Sequence, residues 1–229
     1  MTRFGFALSI LHRLAAPAPT TPGAVAERAL YRASRWSFPM DGAEVPRNRA
    51  LARDGCGIAQ ELRLIEVLSE FGEARVVGSV ALDLVARRDL DVHVLVKEPD
   101  LLATAERIRQ RLVEIREIGR VTATDYRSRG GVKLGFRKRS ALGQWDIDVW
   151  ITDRPEATGF ELAERLKRVL RPEQRRAIMR IKRAYHRRGL LQDGLSAVIY
   201  RAVVAQGVRS AAAFSRLYCR SNYLRRKPL

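Results

Sequence analysis

The chain has 229 residues, of which 46% are hydrophobic, and its 43 Lys or Arg and 25 Asp or Glu residues give it a net charge of +18. A chain of this length and apolar content can bury a sizeable core, so we expect a folded protein. The two cysteines, Cys56 and Cys219, lie far apart without a metal-ligand spacing. They support neither a disulfide framework nor a cysteine-based zinc site, and they favour a reducing, cytoplasmic location. No apolar run approaches the ~20 residues that span a bilayer, so no membrane partner is expected.

The positive charge is concentrated toward the C-terminus. Residues 154–229 carry 19 basic and 5 acidic residues, a net charge of +14, whereas residues 1–153 carry a net charge of +4. A concentrated positive field attracts polyanions such as nucleic acid or nucleoside triphosphates. A solvated helical surface has the same composition, so both interpretations stay open.

Patterning along the chain predicts three regions. Residues 1–50 include "APAPTTPG" and no sustained period, and are predicted to be a flexible N-terminal extension. Its acid-poor start is typical either of a targeting segment or of a gene start placed upstream of Met40. Residues 51–153 mix helical and strand patterns, which predicts an α+β (mixed α/β) core. Residues 154–229 are predicted to form a basic helical subdomain.

The individual elements follow from apolar spacing and from helix caps. In the core, apolar residues at helical spacing predict a helix over 58–71 and a second over 100–119 that begins with Asp100 as its N-cap. β-Branched and apolar runs predict strands over 74–77, 90–96, 121–126, 132–138 and 145–152. Further helices are predicted over 155–170, 172–188, 195–206 and 210–219.

A Gly-Ser pair lies where the first predicted strand passes into a short helix. In "VVGS", Gly78 lets the backbone approach a ligand closely, and the backbone N–H groups and the Ser79 hydroxyl can donate hydrogen bonds to a phosphate. Turns contain Gly-Ser pairs constantly, so this pair gains meaning only from the acidic residues that follow it.

Two strands carry acidic residues on one face. Side chains alternate along a strand, so Asp89 and Asp91 of "DLDV" project together, with Cα atoms roughly 6.5–7 Å apart. Two like charges on one surface are held close only when a cation offsets their repulsion, and carboxylate oxygens are ligands that Mg²⁺ prefers. In "QWDIDVWI", Asp148 lies within a strand and is the better candidate for a third carboxylate, whereas Asp146, near the turn at Gly143, is better explained as a loop acid.

These motifs together resemble the DNA polymerase beta-like nucleotidyltransferase superfamily. The shared pattern is "VVGS", nine residues, "DLDV" and the later "IDVW", and the resemblance covers residues 58–153. Here Arg88 stands before the first Asp, where a small or polar residue is common in the family.

The resemblance implies a fold, a reaction and a set of roles. The fold is a small mixed β-sheet with helices on one side. The reaction is the Mg²⁺-dependent transfer of a nucleoside monophosphate from a nucleoside triphosphate, such as ATP, to an acceptor hydroxyl, with release of pyrophosphate and with two Mg²⁺ ions. Carried over by residue, Gly78 and Ser79 bind phosphate, Asp89, Asp91 and Asp148 bind the metal ions, and Asp148 also polarises the acceptor. The acceptor is a small molecule, RNA or a protein, and the basic helical region favours a polyanion.

Other residues near the predicted site have competing explanations. His93 lies on the Asp91 face and is better explained as a structural histidine than as a contact to nucleotide. Lys133, Arg137 and Arg139 are candidates for triphosphate binding or, alternatively, for protection of a strand edge. The competing function is a catalytically weak binding module with the same fold, such as a nucleic-acid-binding protein or the partner of a toxin.

Overall fold

The computed structural model describes residues 44–192 and 194–225. Their elements are, in chain order, α1 (Glu44–Glu61), α2 (Leu64–Ser69), β1 (Gly72–Val76), α3 (Gly78–Ala81), β2 (Asp89–Val96), α4 (Leu101–Val113), β3 (Thr122–Tyr126), β4 (Gly131–Ser140), β5 (Gly143–Thr152), α5 (Phe160–Val169), α6 (Pro172–His186), α7 (Leu195–Gln206) and α8 (Ala211–Arg225). Short 3₁₀ turns span Arg127–Arg129 and Pro155–Ala157.

The described residues divide into two compact units. One contains residues 44–169 and the other contains the described residues from 170 onward. Helix α5, which the sequence analysis assigned to the helical subdomain, therefore belongs to the unit that contains the sheet. No helix of the described residues has the length and apolar content that a membrane crossing requires.

A five-stranded mixed sheet forms the centre of the first unit. Its strand order is β1-β2-β5-β4-β3, in which β2 and β5 run parallel and the other neighbouring pairs run antiparallel. The predicted fold class, a mixed sheet with helices, is confirmed. The parallel pair brings together two strands that lie about fifty residues apart in the sequence.

The two faces of the sheet differ because its strands alternate in polarity. One face is apolar and packs with residues of α1, α2 and α4 in a single core that contains, among others, Leu90, Val92, Val94, Val132, Leu134, Ile147, Val149 and Ile151. The opposite face, called here the open face, carries the polar residues of the same strands. This face holds the acidic residues that the sequence analysis singled out.

The beginning of α5 lies over part of the open face. The Gly159 N–H donates to Nδ1 of His93 over 3.0 Å, and the Arg75 guanidinium lies 4.8 Å from the centre of the Phe160 ring. Arg75 and His93 are register partners on β1 and β2. The segment before α5 therefore covers the β1–β2 side of the open face.

Several boundaries differ from the sequence predictions. The helix predicted over 100–119 ends at Val113, and the last helix, predicted over 210–219, extends to Arg225. The predicted helix 58–71 is broken, since Arg63 adopts a left-handed conformation with φ +49° between α1 and α2. Residues 44–50, predicted to belong to a flexible extension, instead begin α1, whose Ala52 is buried in the core. Residues 1–43 of that predicted extension lie outside the described residues. After Pro155 the chain makes a single 3₁₀ turn, and helix α5 begins only at Phe160.

The second unit is a small helical cluster. The Tyr185 and Ser215 hydroxyls are hydrogen-bonded at 2.8 Å, and Tyr185 meets Phe214 edge to face with ring centres 5.3 Å apart. Lys182 is only 2% exposed, and its ammonium group donates to the Tyr200 hydroxyl over 3.2 Å. These contacts join α6 to α7 and α8 through polar groups as well as apolar packing.

Candidate active site

The parallel pairing of β2 and β5 sets the positions of the predicted acidic residues. Asp91 is the register partner of Asp148, and Asp89 is the register partner of Asp146. Because alternation is maintained on both strands, the intervening Leu90 and Val92 are fully buried on the other face. All four carboxylates therefore start from the open face of the sheet.

Three of these four carboxylates converge. Asp89, Asp91 and Asp148 each offer one carboxylate oxygen, and these oxygens all lie within 4.8 Å of one another. Asp146 is not part of this group, because its side chain is 55% exposed and accepts from Arg137 over 3.1 Å. The expectation that Asp146 is a loop acid is wrong, since Asp146 lies within β5 as the register partner of Asp89, but its side chain stays outside the cluster that contains Asp148.

Two cations of the same unit contact the carboxylate cluster. Arg87 donates to Oδ2 of Asp89 over 2.5 Å, and the Lys133 ammonium donates to Oδ2 of Asp148 over 3.0 Å. Both pairs are partly buried, with 34% and 19% of the side chains exposed in the first and 25% and 26% in the second. These cations offset part of the repulsion among three neighbouring negative charges.

The donor set suits a hard divalent cation. Carboxylate oxygens are the ligands that Mg²⁺ prefers, usually together with water and substrate phosphates. Oδ1 of Asp89 is buried and has no hydrogen-bond partner within the described residues. A buried acceptor normally has a partner, and burying one without a partner costs free energy. A cation bound to this oxygen would remove that cost. The residues present therefore fit a Mg²⁺ site.

The Gly-Ser turn lies directly beside Asp91. The backbone N–H of Val77 donates to the Asp91 carbonyl over 2.9 Å, which holds the turn against β2. Gly78 has φ +63°, and a Cβ added there would overlap the Asp91 carboxylate, so both the backbone conformation and the space require glycine. Ser79 follows at the start of α3 and is 8% exposed. The sequence motif and the acidic cluster therefore form one continuous site.

His93 has the structural role that the sequence analysis favoured. Its Nδ1 accepts the Gly159 N–H, so the neutral ring carries its proton on Nε2. Burial lowers the pKa of His93 from 6.5 to about 4, because desolvation penalises the charged ring. The ring is therefore neutral at physiological pH.

The two arginines before the first Asp have different positions. Arg88, which directly precedes Asp89, packs its guanidinium against Gly143 at the start of β5, where an added Cβ would lie 3.0 Å from Cζ. Arg87, which the sequence analysis did not single out, makes the ion pair with Asp89. Two adjacent arginines in a loop give no sequence signal that distinguishes them.

An aromatic group on the open face was also missed. The Trp150 ring lies between His93 and Tyr126, with ring centres 6.4 Å and 6.0 Å away. Trp150 follows Asp148 by two residues, so strand alternation placed it on the acidic face from the sequence alone. The sequence signal for this position is the two-residue spacing in "DVW".

Comparisons with known proteins show similarity at the level of structure. The sequence matches no protein-family model and no curated protein. The non-canonical poly(A) polymerase complex GLD-2–GLD-3 matches with a TM-score of 0.52 and 11% sequence identity, covering 82% of this chain and 61% of that chain. The GLD-2/RNP-8 complex matches with a TM-score of 0.51 and 11% identity, covering 80% of this chain and 61% of that chain. At this identity the likeness is one of fold alone, and the match covers about three fifths of those chains.

Proposed function

We propose that this chain, which has the nucleotidyltransferase fold of the DNA polymerase beta type, transfers a nucleoside monophosphate from a nucleoside triphosphate to an acceptor hydroxyl and releases pyrophosphate. One observation carries the proposal: Asp89, Asp91 and Asp148 come from two parallel strands and present oxygens within 4.8 Å of one another. Beside them lies a turn at Gly78 whose shape excludes a side chain. The fold and the donor set both support this chemistry.

Each residue has a defined part in the proposed reaction. Two Mg²⁺ ions bound by the three carboxylates would supply charge neutralisation at the triphosphate and would lower the pKa of the acceptor hydroxyl. Asp148 polarises that hydroxyl, and its carboxylate accepts the proton. The acceptor oxygen forms a bond to the α-phosphorus, and the bond from that phosphorus to the pyrophosphate oxygen breaks. Gly78 and Ser79 hold the leaving phosphates through backbone N–H groups and the serine hydroxyl.

Lys133 lies beside Asp148, where the α-phosphate of the triphosphate would react. Its ammonium group lies 3.0 Å from Oδ2 of Asp148, and both side chains are partly exposed. A lysine is a compact cation on a flexible stem, so it can move from a carboxylate to a phosphate over a short distance. We assign it to the triphosphate, as one of the three basic residues that the sequence analysis suggested.

The proposed acceptor is RNA. Residues 154–229 carry a net charge of +14, which favours a polyanion over a small neutral acceptor. The structural neighbours are described as poly(A) polymerase complexes, and an RNA acceptor would be the same class of substrate. The sparse cysteines fit a reducing compartment, so the proposed location is the cytoplasm.

A transfer assay with paired aspartate variants tests the proposal. The protein is mixed with each labelled nucleoside triphosphate, Mg²⁺ and total RNA, and transfer and pyrophosphate release are measured. Asp89→Asn, Asp91→Asn or Asp148→Asn should lower the rate by at least about 100-fold, because each removes a charged ligand. Asp146→Asn is the matched control, since it removes one carboxylate charge from β5, the strand of Asp148, but outside the cluster, and it should stay within about threefold of the parent. Activity that survives Asp89→Asn and Asp91→Asn would contradict the metal-site assignment.

One observation favours the second candidate, a binding module with little catalysis. Lys133 and Arg87 already pair with two of the three carboxylates, which lowers the charge available to bind metal. Calorimetry separates the two functions. Mg²⁺-dependent triphosphate binding that is lost in Asp89→Asn supports the enzyme, whereas salt-sensitive RNA binding together with no triphosphate binding supports the module.

A further inference from the structure

The open face carries a second group of side chains on the far side of the acidic cluster from the Gly-Ser turn. It consists of Trp150, Tyr126 and Arg129, called here the aromatic row. The Trp150 and Tyr126 rings are stacked with centres 6.0 Å apart and planes inclined by 29°. The Arg129 guanidinium lies 5.6 Å from the centre of the Tyr126 ring. The row runs from β5 to the turn that follows β3.

The sheet is shaped to hold the Trp150 ring in this place. A Cβ added to Gly131 would lie 2.7 Å from Cε2 and 2.8 Å from Cζ2 of Trp150, so the indole occupies the space above a residue without a side chain. Gly131 is the register partner of Tyr126. The glycine on β4 therefore allows the rings of β5 and β3 to meet across the strand between them.

Core packing does not explain Trp150. The other tryptophan of β5, Trp145, is fully buried on the core face, and its indole N–H donates to Oδ2 of Asp54 over 2.7 Å. The indole N–H of Trp150 is also enclosed, yet it has no acceptor within the described residues. A buried donor without a partner costs free energy. The polar face of a sheet thus retains a large aromatic side chain despite that cost.

The exposed end of the row carries a positive charge, on Arg129, which suits contact with a nucleic acid. Arg127 is paired with Asp125, but Arg129 makes no ion pair with a carboxylate in the part of the chain that the structure describes. Its side chain is exposed, whereas Trp150 and Tyr126 are only partly buried. Aromatic rings with an adjacent arginine are the usual means by which a protein binds the bases and the phosphates of a single strand.

The position of the row assigns it to the acceptor side of the site. Trp150 follows Asp148 by two residues on the same strand, so their Cα atoms lie roughly 6.5–7 Å apart. Asp148 is the carboxylate assigned to the acceptor hydroxyl, whereas the phosphate-binding turn at Gly78 lies beside Asp91 toward β1. A base stacked on Trp150 and Tyr126 would place its own sugar next to Asp148.

We propose that the aromatic row binds the 3′-terminal bases of a single-stranded RNA acceptor, with the base on the Trp150–Tyr126 stack and a phosphate on Arg129. The placement of the 3′ end beside Asp148 rests on the proposed transferase function. Binding of the strand to the aromatic row does not rest on it, since this binding requires neither metal nor triphosphate. The two can therefore fail separately.

The test measures binding of a fluorescein-labelled single-stranded RNA of about twelve nucleotides, by anisotropy, without Mg²⁺ and without triphosphate. Tyr126→Ala should raise Kd about 5- to 150-fold, the range that corresponds to the loss of one stacked base. Arg129→Gln should raise Kd more than Arg107→Gln does. Arg107 is the matched control, because it also lies over an aromatic ring, Phe71 at 6.0 Å, and its substitution changes the net charge equally.

A second measurement uses the unaltered protein and so does not depend on the folding of a variant. 2-Aminopurine at the 3′ end of the strand should be quenched on binding, and 2-aminopurine at the 5′ end should be quenched less, because stacking on an aromatic side chain quenches this base. Three results would overturn the proposal. The first is that the protein does not bind the RNA. The second is that 2-aminopurine is quenched equally at both ends and that Arg129→Gln and Arg107→Gln have equal effects on Kd. The third is that the protein quenches 2-aminopurine riboside triphosphate more strongly than the labelled strand.

Discussion

Replacement of Lys133 by Met tests whether the unliganded site is neutralised by the protein itself. The ammonium group lies 3.0 Å from Oδ2 of Asp148, a distance at which the direct interaction is about 5 kcal/mol for an effective dielectric constant of about 20. The two side chains are 25% and 26% exposed, so water screens the pair and its net contribution is much smaller. We take the net contribution as about 1–2 kcal/mol, between the values typical of exposed ion pairs and of hydrogen bonds to charged groups.

This contribution opposes metal binding in the absence of nucleotide. A metal ion that binds Asp148 must displace or face the lysine, so Lys133→Met should lower the Kd for Mn²⁺ about 5- to 30-fold. Lys138→Met is the matched control. Its ammonium group donates to Glu61 over 2.6 Å and lies outside the cluster, and the substitution changes the net charge equally. Calorimetric titration with Mn²⁺ alone measures both constants.

The same substitution should have the opposite effect on the affinity for the nucleotide. If Lys133 moves to the triphosphate, Lys133→Met weakens the binding of a non-hydrolysable triphosphate while it strengthens the binding of the metal alone. An unchanged or raised Kd for Mn²⁺ would refute the view that Lys133 acts as a counter-ion of Asp148 in the absence of metal. An unchanged Kd for the triphosphate would refute its assignment to the phosphates.

Three further predictions concern stability, measured by urea unfolding. Gly78→Ala should lower the free energy of unfolding by about 1–3 kcal/mol, because φ at this residue is +63° and the added methyl group meets the Asp91 carboxylate. Gly57→Ala, in α1 with open space around it, should raise the free energy of unfolding by about 0.5–1 kcal/mol. The folded-state pKa of His93, about 4, lies below its unfolded value of 6.5, so its stabilisation is complete above pH 6.5 and lost as the pH falls toward 4. The free energy of unfolding should fall between pH 7.5 and pH 5, and in His93→Gln this fall should be smaller by about 2 kcal/mol. Trp145→Phe should cost about 1–3 kcal/mol more than Trp150→Phe, because the Trp145 indole N–H donates to Asp54, whereas that of Trp150 has no acceptor among the residues that the structure describes. Equal costs would contradict this account.

The strands and their polar faces could be predicted because the required information is local. Alternation along β2 and β5 is visible in "DLDV" and "DIDV", and it fixes which residues share a face. The adjacency of the two strands is not local. It became an expectation only through the resemblance to a known fold, since nothing in the residues between them specifies the strand order.

The errors have a common physical cause, which is that backbone conformation in loops depends on tertiary contacts. The apolar period of the predicted helix 58–71 continues across Arg63, so the left-handed residue that breaks the helix has no signature in composition. The same is true of Arg87 and Arg88, where the conformation of the loop before β2 decides which guanidinium reaches Asp89. Periodicity reports which face is buried, but it does not report where a backbone turns.

Core packing and the acidic cluster are specified by the same strand register. Val92 and Val149 are register partners and both are fully buried, while Asp91 and Asp148, one residue earlier, are partners on the open face. A slip of one residue between β2 and β5 would place Asp91 opposite a buried apolar residue and expose the core face of one strand. The free energy of burying the apolar face therefore also holds the carboxylates together against their mutual repulsion. For this reason, a substitution such as Val149→Ala should destabilise the fold without separating the acids while the protein remains folded.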